Sequence, residues 1–282
     1  MIWRCRDHRL DLADRGRVMG ILNTTPDSFS DGGEFIDPDR AVERALSMVE
    51  EGAEIIDIGG ESTRPGAEPV NAEAESARVL PVIERLAPAA AERGFLISID
   101  TTKAEVARQA CILGAHIIND ISGLRAEPDI ANVAAEFGAG VVVMHMKGEP
   151  RTMQADPVYA DIVHEVREFF QAQLDFARSA GIDPDQVVFD PGFGFGKTLD
   201  HNLQLLAALD RLSIENRPLL AGISRKSMFG KLLGAEVGDR LWPTVATTAY
   251  ARGAGARIHR VHDVRPNVEA LKTIEAILKH RI

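Results

Sequence analysis

Residues 95–120, FLISIDTTKAEVARQACILGAHIIND, hold one full unit of the fold. FLISID (95–100) is a short aliphatic run, apolar on both faces, as a buried parallel strand is. A polar cluster and a helical pattern over 103–113 follow it, and HIIND (116–120) is the next apolar run. The same order recurs on either side. The other runs are RVMGIL (17–22), EIIDIG (54–59), GVVVMH (140–145), VVFD (187–190), PLLAGIS (218–224) and RIHRVHD (257–263), which makes eight. They recur about every 34 residues, the length that one strand and one returning helix need.

Helical patterns fill the intervals. Over 39–51 the apolar positions are Ala41, Val42, Ala45, Met48 and Val49, and Gly52 ends the run. Similar patterns cover 73–92, 129–137, 160–180, 202–212, 226–233, 244–252 and 268–280. The seventh crossover carries two of these, a short helix and a longer one. Alternating strands and helices fit an open doubly wound sheet or a closed barrel. Eight strands, with polar residues after nearly every one rather than at one switch point, favour a single (β/α)8 TIM barrel. It is expected over 17–282, behind a short extension (1–16) read as a β-ribbon closing the barrel bottom.

The 282 residues carry 32 basic and 42 acidic side chains, a formal charge of −10, with 45% hydrophobic and 26% charged residues. That balance excludes a disordered or fibrous chain, and the acidity argues against a nucleic-acid scaffold. A small anionic substrate stays possible, because a few convergent cations can bind one. Cys5 and Cys111 have neither metal-ligand spacing nor a disulfide framework, which suits a reducing cytoplasm. The charged start MIWRCRDHRLDLADRGR lacks the apolar core of an export signal. The apolar stretch 138–146 falls short of the ~18 residues of a membrane span. A cytoplasmic protein without membrane or nucleic-acid partners is expected.

In a parallel barrel the C-terminal strand ends converge on one mouth. Those ends carry Asn23; Asp57 with Glu61, Thr63 and Arg64; Asp100; Asn119; His145; Asp190; Ser224 with Arg225 and Lys226; and Arg260 with His262. Any one Asp or Asn there reads equally well as a helix N-cap, but capping does not explain so varied a set. Asp100, Asn119, Asp190 and Lys226 form a donor–acceptor group suited to a flat heterocycle with amide and amino edges. The competing reading for Asp100 and Lys226 is a buried structural ion pair. Arg64, Arg260 and His262, near Asn23 and Thr63, suit a phosphate or diphosphate. His262 could instead cap the last helix or support Asp263. Asn23 alone is a weak metal signal, although Mg2+ on a phosphate needs few protein ligands. Two loops, TTPDSFSDGG (24–33) and GESTRPGAEP (60–69), have the composition of substrate-closing lids, and Phe29 in the first is costly to expose. DPGFGFGK (190–197) lacks the G-x-G-x-x-G spacing and reads as a tight loop on which Phe193 or Phe195 stacks against a ring.

GILNTTPDSFSDGG, IIDIGGESTRPGA, ISIDTTK, GAHIINDISG, VVMHM, DPGFGFGKT, GISRKSMFG and IHRVHDV occur in order across 20–264. In these segments the chain resembles the dihydropteroate synthase family of folate biosynthesis. Thr24 stands where valine is common in that family. The resemblance implies condensation of (7,8-dihydropterin-6-yl)methyl diphosphate with 4-aminobenzoate to 7,8-dihydropteroate and diphosphate, by SN1-like displacement. It implies a pterin site of Asp100, Asn119, Met144, Asp190, Phe195, Gly222 and Lys226. It implies a diphosphate site of Asn23, Thr63, Arg64, Arg260 and His262, with Asn23 binding Mg2+. The 4-aminobenzoate site would comprise Phe29, Pro65, Ser224, Lys226 and Ser227, and Asp31 would accept the amine proton. Asp100, Asp190, Lys226 and Asp31 would then be the catalytic set. Members are commonly homodimers and sulfonamide targets, with the last helices as the natural contact surface. Three other readings compete: a methyltetrahydrofolate–corrinoid methyltransferase barrel, a Schiff-base aldolase using Lys226, and a non-catalytic pterin-binding paralogue.

Overall fold

The computed structural model describes residues 1–25, 37–62, 67–149 and 151–280. Strands β1 (Ile2–Cys5) and β2 (His8–Asp11) form an antiparallel hairpin. The remaining strands are β3 (Arg17–Asn23), β4 (Ile55–Gly59), β5 (Leu96–Asp100), β6 (Ile117–Asp120), β7 (Gly140–Met144), β8 (Val187–Asp190), β9 (Leu220–Ala221) and β10 (Ile258–Val261). They lie in the order β8-β7-β6-β5-β4-β3-β10-β9, and a parallel bridge from Phe189 to Leu219 joins the two ends into a closed barrel. The helices are α1 (Pro38–Glu50), α2 (Ala72–Arg93), α3 (Ala104–Ile112), α4 (Asp129–Phe137), α5 (Ile162–Ser179), α6 (Leu199–Ala207), α7 (Ser227–Leu233), α8 (Leu241–Gly253) and α9 (Val264–Leu278). α7 and α8 share the seventh crossover.

Boundaries shift where proline or a cap decides them. The run 218–224 is strand only at Leu220–Ala221, since Pro218 has no N–H to give and the ladder ends before Gly222. α6 starts at Leu199 rather than 202: Thr198 Oγ1 accepts from the His201 N–H, and His201 Nδ1 accepts from the Thr198 N–H. α8 and α9 also begin earlier than their apolar periodicity does. Each takes a proline, Pro243 or Pro266, into its first turn, where no intrahelical N–H is lost.

Strand alternation divides the core in two. Outward residues such as Ile56, Ile58, Ile99, Val143 and Phe189 pack beneath the helices against Ala45, Val82 and Val106. The lower barrel interior takes one apolar side chain from each strand: Met19, Ile55, Leu96, Ile117, Val142, Val188, Leu220 and Ile258. The hairpin closes this layer from below with Trp3, Cys5 and Leu12. Trp3 is fully buried, and its Nε1–H donates to the Gln186 carbonyl at 2.8 Å. Gly140 allows that approach, because a Cβ there would lie 2.6 Å from Cys5 Sγ.

Above this layer the inward positions turn polar. They carry Asp57, Ser98, Asn119, Asp190 and Arg260, with Asn23 and Asp100 at the rim. Among the described residues no helix is long and apolar enough to cross a membrane.

Candidate active site

Arg260 sits in the polar upper layer and gathers its acids. Its Nε donates to Asp57 Oδ2 at 2.6 Å and its Nη2 to Asp100 Oδ2 at 2.5 Å. Asn119 Nδ2 donates to the same Asp57 oxygen at 3.0 Å. Asp57 is fully buried and its Oδ1 has no hydrogen-bond partner. Burial opposes charge on Arg260, but Asp57 and Asp100 outweigh it and hold the guanidinium firmly protonated. Asp100 goes the other way. Burial lifts its carboxyl to about 7 against the pull of Arg260, and repulsion from Asp57 adds to the rise.

Asp190, at the tip of β8, is likewise raised by burial; the Gly192 N–H at 2.7 Å from Oδ1 and the Lys226 charge work against that. Gly222 keeps the second oxygen open, since a Cβ there would come within 3.2 Å of Asp190 Oδ2. Burial brings Lys226 down to about 8, opposed by Asp190, and its ammonium lies 4.1 Å from the Phe195 ring centroid. Phe195 belongs to an apolar platform with Ile121, Met144, Met146 and Met153. Carboxylates and donors stand as a wall beside this platform, which is what a planar, amide-edged ring requires.

At the adjoining ends of β9 and β10 the His262 backbone N–H donates to Ser224 Oγ at 3.2 Å. The Ser224 hydroxyl, 2.9 Å from His262 Nδ1, can then donate to that nitrogen, which leaves the proton on Nε2. Burial, with the Arg260 and Arg225 charges, lowers His262 to about 3. The ring is therefore neutral and becomes a cation only if an anion arrives. Arg225, not His262, pairs with Asp263, through contacts of 2.9 and 2.6 Å. Glu61 is committed as well: it accepts from the Val70 N–H at 3.2 Å and from Lys103 Nζ at 2.5 Å, and so ties the base of the second loop.

A cavity of about 550 Å³ opens on the flank of the mouth, lined by Asp100, Thr101, Ile121, Ser122, Arg125 and Met146. Asp190 and Lys226 do not border it, so the ring site is marked by the polar wall rather than by this space. Among the described residues no group of three or more His, Cys, Asp or Glu side chains could hold a metal ion. Asn23 ends β3 in a row of backbone partners that runs through Gly59 and Asp100 to Asn119. Its single neutral oxygen fits an ion that arrives with phosphate oxygens and keeps most of its waters, and fits no permanent protein cage.

A family model for pterin binding enzymes matches residues 19–262. The chain is 50% identical over 268 residues to the dihydropteroate synthase of Synechocystis, an alignment covering 95% of this chain and 92% of that protein. The chain belongs to the pterin-binding enzyme family. The family's solved structures share its fold. A Yersinia pestis dihydropteroate synthase in a sulfonamide drug complex superposes with a TM-score of 0.91 at 47% identity, covering 99% of this chain and all of that one. A Xanthomonas albilineans dihydropteroate synthase with 4-aminobenzoic acid gives 0.90 at 45% identity, covering 99% of each chain.

Sequence reading placed family site residues in two groups, donor–acceptor and cationic, and the structure joins them through Arg260. Asp100 pairs with Arg260 rather than Lys226, so the structural Asp100–Lys226 ion pair does not form. Asn119, Met144, Asp190, Gly222 and Lys226 gather at the mouth with Phe195, and Ser224, between Gly222 and Lys226 in the chain, is bonded to His262. Ser227 is the exposed first residue of α7. Phe29, Asp31, Thr63, Arg64 and Pro65 lie outside the described residues. Asp57 stood among the strand-end residues but in neither group; its phase, two residues after inward Ile55, was the available signal. His145 stands among the strand-end residues without a role, and its partner Lys197 enters the sequence reading only as the last residue of DPGFGFGK.

Proposed function

We infer that this chain is a dihydropteroate synthase, joining (7,8-dihydropterin-6-yl)methyl diphosphate to 4-aminobenzoate. The observation that carries this is the wall of Asp100, Asn119, Asp190, Lys226 and Arg260 beside the Met144–Phe195 platform, in a chain so close to known dihydropteroate synthases. Asp190 accepts from the ring N–H and exocyclic amine, while Asn119 and Lys226 address the carbonyl and ring nitrogens. With Nε on Asp57 and Nη2 on Asp100, Arg260 has Nη1 left for the diphosphate, beside His262 and, by family likeness, Thr63 and Arg64. Asn23 would hold Mg2+, which when bound neutralises charge growing on the leaving diphosphate.

The bond from the methylene carbon to the diphosphate oxygen breaks first, and its electron pair leaves with diphosphate. The methylene cation is conjugated with the dihydropterin, where Asp190 and Asp100 stabilise the positive charge. The weakly basic aniline nitrogen then forms the C–N bond and gives up one proton, for which Asp31 is our proposed acceptor. Ser224, Lys226 and Ser227, with Phe29 and Pro65, border the aminobenzoate. Positioning and electrostatics supply the catalysis, and no strong general base is needed.

We place the enzyme in the cytoplasm as a homodimer. Supporting the dimer, α7 and α8 expose large apolar side chains, Leu232 and Leu233 on the first and Trp242, 72% exposed, with Tyr250 on the second. A single-chain mass for the wild type in sedimentation would remove that assignment. The site itself is tested by calorimetry on Arg260→Ala. Affinity for the pterin diphosphate should fall about a hundredfold while 4-aminobenzoate binding changes less. Unchanged pterin-diphosphate affinity would refute the assignment.

A further inference from the structure

Lys197 is a fully buried amine that the chemistry above does not use; burial lowers it to about 7, and the Asp190 charge works against that. Its side chain is 2% exposed, and its three N–H groups have three acceptors: His145 Nδ1 at 3.0 Å, the His145 carbonyl at 3.2 Å and the Phe195 carbonyl at 3.0 Å. Burial lowers His145 to about 2, with Lys197 itself as the next cause, so the imidazole is neutral and its Nδ1 lone pair is free to accept. The ring is also held edge-on to Phe169, with centroids 5.0 Å apart.

These contacts join two segments pressed together with no room to spare. His145 continues from β7, and its N–H donates to the Asp190 carbonyl at 2.9 Å. A Cβ on Gly192 would lie 2.0 Å from the His145 carbonyl oxygen, and one on Gly196 would lie 2.2 Å from that of Lys147. Both glycines are at positive φ, 67° and 62°, so the 191–196 loop can follow the end of β7 only with glycine there. The loop carries Phe195, on whose ring Lys226 rests, and its Gly192 N–H binds Asp190. Glycine loops of this kind do not hold one shape unaided, and an ammonium out of water is costly unless fully bonded.

We propose that Lys197 is a positioning residue for the pterin pocket: by tying the end of β7 to the 191–196 loop, it sets the Phe195 ring and the Asp190 carboxylate in the relation a pterin needs. The proposal rests on the pterin-site reading above. When protonated, Lys197 also favours the ionised Asp190 carboxylate. None of its hydrogen bonds reaches Ser224 or Ser227, and it meets the aminobenzoate side only indirectly, through Lys226 on the Phe195 ring.

The test is calorimetry with 6-hydroxymethyl-7,8-dihydropterin, together with the KM for 4-aminobenzoate. Lys197→Met should bind the pterin about tenfold more weakly, with the aminobenzoate KM within about twofold of wild type. Pterin affinity unchanged beside a lower Tm would overturn the proposal, as would equal losses for both substrates. Should Lys197→Met fail to fold, His145→Phe decides. It keeps the ring against Phe169 but removes the acceptor, and should weaken pterin binding about threefold; His145→Gln returns an acceptor oxygen and should recover it. Equal pterin affinity in those two variants would likewise overturn the proposal. Failure of the wild type to bind the pterin would instead sink the site reading itself.

Discussion

The lower and upper halves of the barrel interior are built from the same eight strands, yet they obey different rules. Below, Met19, Ile55, Leu96, Ile117, Val142, Val188, Leu220 and Ile258 fill the space above the hairpin with no polar side chain among them. Two residues further along β4, β6, β8 and β10 the inward positions are Asp57, Asn119, Asp190 and Arg260. Apolar packing gives the lower half its stability. The upper half contains a carboxylate oxygen with no partner and a carboxyl lifted to about 7, features that weaken a fold and prepare it for a ligand. Substitutions in the two halves should therefore fail in different ways.

The widest separation should come from one variant in each half. Asp190→Ala removes two charge-assisted hydrogen bonds to the pterin and should cut kcat/KM for the pterin diphosphate by about a thousandfold, roughly 4 kcal/mol. Its thermal midpoint should move little. Trp3→Ala leaves a cavity beneath the barrel and should cost about 3–5 kcal/mol of stability. The fraction that stays folded should turn over at the wild-type rate. Denaturant titrations read alongside steady-state kinetics check both. If Trp3→Ala alters kcat in the folded protein, or Asp190→Ala mainly destabilises, the division between the halves is wrong.

A smaller and sharper effect is the pH dependence. Asp100 offers a negative charge and acceptors on both oxygens only when ionised, and burial holds it at about 7. Lys226 keeps its charge below about 8. Lowering pH through 7 protonates Asp100, and raising it through 8 neutralises Lys226. A bell-shaped kcat/KM for the pterin diphosphate follows, falling about tenfold per pH unit outside those limbs. Asp100→Asn should lose the acid limb along with much of the activity. A profile that is flat from pH 6 to 9 would show that neither group titrates in the free enzyme.

The smallest change expected is at Ser224. Ser224→Ala removes the hydroxyl that orients His262, worth about 1 kcal/mol, so the pterin-diphosphate KM should rise about fivefold. An effect confined to 4-aminobenzoate would place His262 outside the diphosphate site.

Much of this contrast was legible in the sequence. The eight apolar runs mark the barrel because parallel strands are buried on both faces, and chemistry after each run marks the mouth. Periodicity could not reveal which charge meets which. The sequence suggests an anion for Arg260 but not that its side chain also bridges Asp57 and Asp100, contacts that span 203 and 160 residues of chain. His262 was counted as a cation, and burial beside Arg260 makes it neutral. Lys197 follows a glycine loop, and only the folded loop shows that its amine is enclosed. Helix starts were misplaced where a first-turn proline precedes the apolar period, as at Pro243 and Pro266.

The most direct test is turnover of radiolabelled 4-aminobenzoate with (7,8-dihydropterin-6-yl)methyl diphosphate, with and without Mg2+. Labelled 7,8-dihydropteroate that forms only with the metal, and is lost in Asp190→Ala, is the predicted result. Pterin binding by calorimetry without any labelled product would contradict a synthase and leave a pterin-binding barrel of other or no catalytic function.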